Sequence, residues 1–325
     1  MTEDFKAKKI GFIGLGNVGG KLAGSLQRNG FDLTVLDLDQ EAVRPFVEAG
    51  AISAATPREM AERCDVVITC LPSPEASAQV VEGPNGLLEG LRPGTIWAEM
   101  STTDEAEVQR LAARVIDVGA HPVDCPVSGG CHRAATGNIA IFAGCERAVF
   151  ERFLPVLSSM GRRILHTGEV GSASVLKVVT NYLATANLVS LSEALVTAGA
   201  AGMDLATTYE AIRISSGNSF VHETESQVIL NGSRDISFTM DLVVKDMSLF
   251  SAVAKRADVP LDVAPVLLDI FLDAQERYGP REWSPNVIRR LEDATGLVIH
   301  APGFPAGMTD DEPEEPGREV VPTRP

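Results

Sequence analysis

The 325-residue sequence predicts an α/β protein: an N-terminal Rossmann-type doubly wound sheet followed by an all-helical C-terminal domain. Three observations predict it. Through the first half, short runs of valine, isoleucine and leucine alternate with amphipathic stretches, the pattern of βαβ units and a mostly parallel sheet. The first run leads into Gly14-Leu-Gly16-Asn-Val-Gly19, a glycine spacing that requires a strand before it and a helix after it. Beyond Gly168 the strand-like runs stop and apolar residues recur at helical spacing.

In order, Lys9–Gly14, Leu33–Asp37, Asp65–Leu71, Thr95–Met100 and His121–Val127 read as strands, with helices at Val18–Asn29, Gln40–Ala49 and Glu105–Val118. A strand at Asn138–Ala143 precedes a helix near Arg147–Met160 and a short strand near Arg163–His166. Ser172–Ala201 has no proline and few turn residues, which suits one long helix leaving the first domain. Leu205–Ser215, Phe220–Leu230, Met240–Ala257 and Pro260–Arg277 read as further helices. Trp283, Ile288 and Leu291 offer anchors against the helical domain or a neighbouring subunit. From Ala301 proline and acids dominate, and such a composition buries too little apolar surface to offset ordering entropy. The expected division is therefore residues 1–167, residues 168–300 and a flexible acidic tail at 301–325.

The net charge of −16 argues against a nucleic-acid partner, whose phosphates would be repelled. Part of it is local: Thr309 to Pro325 holds six acids and two arginines. The five cysteines form no CxxC pair and no metal-like cluster with histidine, so no metal is expected. Their odd number, with no apolar leader at Met1-Thr-Glu-Asp-Phe, reads as reduced thiols in the cytoplasm. The longest uncharged stretch, Val178 to Ser192, is too short for a membrane span.

In the glycine loop, Gly14 suits a tight turn, Gly16 a close approach of backbone to pyrophosphate, and Gly19 the packing of helix on strand. With Asn17 and Val18 they form a cofactor-binding loop whose helix N-terminus favours phosphate. Asp37, eighteen residues past Gly19, can accept the adenosine ribose hydroxyls and repel a 2′-phosphate, and Leu38 offers such a phosphate no cation. NAD is expected over NADP. Leu71-Pro72 and Ser101-Thr102 follow strand ends, where doubly wound sheets place ligands, and so border the cofactor. Ser128-Gly129-Gly130 exposes backbone N–H groups and a hydroxyl, either a cradle for a carboxylate or a plain loop after a strand. Lys177 and Asn181, four apart on a helix, share one face. A lysine desolvated in a cleft has its pKa lowered toward the range of a general acid/base, whereas a solvated one is an ordinary surface residue.

Three further stretches carry a resemblance: Asp124-Cys-Pro-Val-Ser-Gly-Gly, Gly168-Glu-Val-Gly-Ser-Ala-Ser-Val-Leu-Lys-Val-Val-Thr-Asn, and Phe238-Thr-Met-Asp-Leu-Val-Val-Lys-Asp-Met. With the glycine loop, and in this order, they resemble the motifs of the β-hydroxyacid dehydrogenases from about Ile10 to Gly279. The resemblance implies NAD-dependent oxidation of a small 3-hydroxy acid, or the reverse reduction, with Lys177 as the catalytic acid/base. It also implies Asn181 and Ser128–Gly130 on the substrate, and Lys245, oriented by Asp246, on the cofactor side. A homo-oligomer is expected from the long apolar helix. The chain departs from the pattern at Ala173, Cys131-His132-Arg133, Phe220 and the extension Pro280–Pro325. His132 and Arg133 raise the expectation of a second anionic group on the substrate, with solvent-facing side chains as the alternative. Imine reductases share the architecture but usually lack a lysine at the position of Lys177. 6-Phosphogluconate dehydrogenases carry histidine where this chain has Thr180. A non-catalytic dinucleotide-binding scaffold would have no need of Lys177.

Overall fold

The computed structural model describes residues 9–323, so the expectation about the first residues lies outside them. The chain forms two compact units: residues 9–177 with 310–323, and Val178–Thr309.

The first unit runs β1 (Lys9–Ile13), α1 (Gly19–Arg28), β2 (Asp32–Leu36), α2 (Gln40–Glu48), β3 (Ile52–Ser53), α3 (Pro57–Arg63), β4 (Val66–Thr69) and α4 (Pro74–Glu82). It continues through β5 (Ile96–Glu99), α5 (Glu105–Asp117), β6 (His121–Asp124), β7 (Val127–Ser128), α6 (Gly130–Ala135), β8 (Ile139–Gly144), α7 (Arg147–Leu157) and β9 (Gly161–Gly168) to the start of α8 (Ser172–Ala200). The strand order is β10-β9-β8-β6-β5-β4-β1-β2-β3, where β10 is Arg318–Glu319. Strands β1 to β6 are parallel; β8, β9 and β10 are parallel to each other and opposed to β6, and β7 pairs antiparallel with β8.

The middle strands are buried on both faces, which is why they read as unbroken apolar runs. Helices α1 and α7 cover one face with Leu22, Leu26, Phe150 and Phe153; α3, α4 and α5 cover the other with Met60, Val81, Leu111 and Val115. Strand order reverses between β1 and β4, and it is beyond the carboxyl ends at such a switch point that these sheets hold ligands. The run expected as one strand, His121–Val127, is broken at Cys125-Pro126, since proline offers no N–H to the ladder. The first piece lies between β5 and β8, and the second pairs with β8 alone. Helices α3, α4 and α6 were not expected; α3 and α6 have seven and six residues, too few to display a helical period, and the large apolar residues of α4 are the adjacent pair Val80 and Val81 alone.

The second unit holds the remainder of α8, then α9 (Leu205–Arg213), α10 (Phe220–Asn231), α11 (Met240–Arg256), α12 (Val263–Tyr278) and α13 (Arg289–Thr295). Among its described residues there is no strand, only an isolated bridge between Thr239 and Trp283. Leu188, Leu195, Ile229, Met247, Phe271 and Ile288 form its core. The buried Arg234 guanidinium reaches both carboxylate oxygens of Glu292, at 2.7 and 2.8 Å. Helix α8 has the length and apolar composition of a membrane span, yet its first turn is fixed inside the first unit and its later turns belong to the second unit's core.

The expected flexible tail is instead placed. Residues 301–309 stay with the helical unit, where Ala301 N–H donates to Leu230 O (2.9 Å) and Asn231 Nδ2 to Phe304 O (2.8 Å). Residues 310–323 return to the sheet, and β10 extends it beyond β9. Composition alone misread this segment, because its acids meet arginines of the first unit: Glu319 pairs with Arg147 (2.5 Å), Glu315 with Arg162 (2.9 Å) and Glu314 with Arg28 (3.5 Å).

Candidate active site

The glycine loop shows three different reasons for glycine. Gly14 has φ +94°, and a Cβ there would collide with the Cys70 carbonyl oxygen. A Cβ on Gly19 would collide with the Gly14 carbonyl oxygen, so that glycine lets α1 sit against the strand. Around Gly16 there is no heavy atom within 4 Å of a Cβ position, which leaves open space above exposed Gly16 and Asn17 for a pyrophosphate. Asp37, half-buried just past β2, accepts the Leu15 N–H through Oδ2 and the Asp39 N–H through Oδ1 (2.8 Å). It borders an open cleft of about 430 Å³ lined also by Leu36, Leu38, Gln40 and Ser53–Ala55, room enough for a nucleoside. These residues fit a dinucleotide.

The two strand-end loops expected at the cofactor meet each other. The Leu71 N–H donates to Ser101 Oγ (2.7 Å), and Ser101 N–H and Oγ both donate to Glu99 Oε1. Pro72 is exposed and Thr102 half-buried beside them. Glu99, wholly buried at the end of β5, was missed in the sequence; burial pushes its carboxyl up from the ordinary value, against hydrogen bonds from Ser101.

Asp124 was also missed as an anchor. Wholly buried at the end of β6, it accepts Gly171 N–H (3.1 Å) and Ser174 N–H (2.8 Å) on Oδ2 and the Ser174 hydroxyl (2.7 Å) on Oδ1. It therefore closes off the free N–H groups at the start of α8, the helix that carries Lys177 less than one turn beyond Ser174. Burial raises its carboxyl to about 6. One signal for both acids was available: each is an acid that ends a short parallel strand and follows an apolar residue. Four residues past Asp124 comes the Ser128–Gly130 loop, with φ +129° at Gly129 and +87° at Gly130, conformations that exclude most side chains. Lys177 is half-buried.

In the helical unit, Asn181 Nδ2 donates to Asp246 Oδ2, and Lys245 Nζ lies 3.0 Å from Asp246 Oδ1. The Lys245 contact lacks hydrogen-bond alignment, so it counts as an ion pair only. Asp246 is buried and thus orients two expected site residues, not only Lys245. The Arg133 stem lies against Gly129 of the Ser128–Gly130 loop. The Arg133 guanidinium lies 3.8 Å from Glu312, and burial first, then Arg133, lowers the His132 pKa. Among the described residues no group of histidines, cysteines and acids is arranged to hold a metal.

Comparison with known proteins bears on this arrangement. Residues 9–168 match the NAD binding domain of 6-phosphogluconate dehydrogenase, and residues 171–291 match the NAD-binding domain of NADP-dependent 3-hydroxyisobutyrate dehydrogenase. The 2-(hydroxymethyl)glutarate dehydrogenase of Eubacterium barkeri is 34% identical over 295 residues, 90% of this chain and 98% of the relative. The chain belongs to the β-hydroxyacid dehydrogenase family. An NAD-dependent L-serine dehydrogenase of Pseudomonas aeruginosa is 32% identical over 89% of this chain and 99% of its own. The solved 3-hydroxyisobutyrate dehydrogenase of Salmonella typhimurium superposes with a TM-score of 0.80 at 28% identity, over 87% of this chain and 99% of that one. As a β-hydroxyacid dehydrogenase, this chain is an NAD(P)-dependent oxidoreductase acting on a CH–OH group.

Proposed function

We propose that this β-hydroxyacid dehydrogenase oxidises a small 3-hydroxy acid with NAD in preference to NADP, and that Lys177 is its general acid/base. The observation that carries the reading is the Asp124 anchor. It ties the helix bearing Lys177 to the strand end that leads into the Ser128–Gly130 loop. Bound dinucleotide supplies the hydride acceptor. Ser128 and the N–H groups of Gly129 and Gly130 hold the substrate carboxylate, and Asn181, four residues from Lys177 along α8, holds the hydroxyl. Lys177 Nζ takes the hydroxyl proton as oxidation proceeds and returns it in the reverse direction. Asp37 sets the cofactor choice, its charge opposing a 2′-phosphate at the cleft beside Leu38.

Relatives bear names for 2-(hydroxymethyl)glutarate, L-serine, L-threonate and 3-hydroxyisobutyrate, all small acids with a hydroxyl two carbons from a carboxylate. The pairing of Arg133 with Glu312 gives no support to a second substrate anion at that position. Exposed Leu176 and Leu183 on α8 support a homo-oligomer, and the buried free thiols of Cys64, Cys125 and Cys145 suit the cytoplasm. The test is NADH formation with those four acids in the wild type and in Lys177→Ala. General acid/base loss is expected to lower kcat by ~100-fold or more. A kcat within a few-fold of wild type removes Lys177 from the chemistry.

A further inference from the structure

The two family matches end at residue 291, while the chain continues through a segment that crosses the surface of the first unit. That segment is fastened along its length. Asp310 Oδ2 accepts from Thr136 Oγ1 and from Asn138 Nδ2 (2.7 Å), and the Glu312 carbonyl accepts the same amide at 2.9 Å. Glu312 faces Arg133. Glu314 accepts from Asn29 Nδ2 (3.3 Å) and meets Arg28, whose Nη2 also donates to Ala135 O at 2.9 Å. Gly317 N–H donates to Ser158 O (2.8 Å) where a Cβ would collide with the Gly161 carbonyl oxygen, and Val320 N–H donates to Ile164 O (2.7 Å).

The first three of these contacts fall on Thr136 and Asn138, just past the end of one short helix. Helix α6 starts at Gly130 and ends before Thr136, so the Asp310 and Glu312 bonds hold its far end while the Ser128–Gly130 loop forms its near end. A six-residue helix between two glycines in left-handed backbone has little stability of its own. Its placement then depends on what holds its last turn. We propose that the C-terminal segment is a strap that sets the Ser128–Gly130 loop, with Asp310 as a positioning residue for hydroxy-acid binding. This rests on the reading of that loop as the substrate cradle. The outer ion pairs, at Glu314, Glu315 and Glu319, fasten the strap through exposed contacts that salt screens.

The test compares Asp310→Ala with Asp310→Asn in the full chain. Thr136 and Asn138 use the same oxygen of Asp310, so an asparagine carbonyl can accept from both. Asp310→Ala is expected to speed amide hydrogen exchange over residues 128–138. It is also expected to raise KM for the fastest-oxidised of the four acids about tenfold, with KM for NAD and kcat little changed. Asp310→Asn is expected to restore both readouts. The triple substitution Glu314→Gln, Glu315→Gln, Glu319→Gln, which leaves the loop contacts intact, is expected to give a smaller effect of the same kind, mimicked in the wild type by 1 M salt. Unchanged exchange in Asp310→Ala overturns the strap, as does an Asp310→Asn variant as defective as Asp310→Ala. Faster exchange with unchanged KM overturns the positioning role, and Ser128→Ala then shows whether the cradle reading has failed as well.

Discussion

Strands β2 and β6 of the same sheet lead to Asp37 and Asp124, and the two carboxylates do opposite work. Asp37 is half-buried beside a cleft and takes one N–H on each oxygen, from Leu15 and from Asp39. Its remaining lone pairs are left to the cleft. Asp124 is wholly buried, and its three bonds all go to the first turn of α8. One strand end borders a cleft, proposed above to take the cofactor, and the other locks the helix that carries Lys177. Burial separates them: an acid out of water must spend its oxygens on the protein, while an acid at a crevice keeps some for a guest.

The strongest way to break this contrast is to remove Asp124. Asp124→Ala leaves two N–H groups and a hydroxyl without partners in the interior, at ~1–3 kcal/mol for each such group. Urea denaturation is expected to show roughly 3 kcal/mol of lost stability or more. In whatever folds, kcat is expected to drop because the start of α8 is loosened. A loss below ~1 kcal/mol would mean that Asp124 does not anchor the helix.

Asp37→Ala is expected to act on selectivity more than on stability. With the charge gone, the ratio of kcat/KM for NAD over that for NADP is expected to fall about tenfold, or about 1.4 kcal/mol. The wild type is expected to prefer NAD. Preference for NADP in the wild type would end the ribose argument, and an unchanged ratio in Asp37→Ala would place the discrimination elsewhere.

The place of Asp37 was legible in the sequence because its signals are local: it follows a glycine loop at a fixed distance and ends an apolar run, and the structure sets it beside a cleft. The placing of Lys177 and Asn181 four apart on one helix was legible for the same reason. Asp124 stood inside a recognised motif, yet its partners lie 47 and 50 residues further on, and nothing local marks it as their acceptor. Glu99 was hidden in the same way, its Ser101 bonds short in sequence but their link to Leu71 visible only when β4 and β5 are side by side. The C-terminal segment was misread because composition treats a segment alone. Its acids order against Arg28, Arg147 and Arg162, residues that composition cannot pair with it.

The finest contrast comes from one atom at each site. In Asp124 both backbone N–H groups use Oδ2, so an asparagine can place its carbonyl there and turn its amide toward Ser174 Oγ, whose hydroxyl then accepts. In Asp37 the two N–H groups use different oxygens, and an asparagine must aim its amide at one of them. Asp124→Asn is therefore expected to stay within ~1 kcal/mol of wild type at pH 7, and to differ mainly in pH dependence. Burial raises Asp124 from 3.8 to about 6, so between these values the folded protein keeps a proton that the unfolded chain has released. That proton's contribution to stability is fully present below pH 3.8 and is lost as pH rises through about 6. The variant lacks the titration. Its urea midpoint relative to wild type is expected to climb from pH 4 to pH 6 and then level off. Parallel curves across that range would mean that Asp124 titrates near its ordinary value and is wetter than its burial implies.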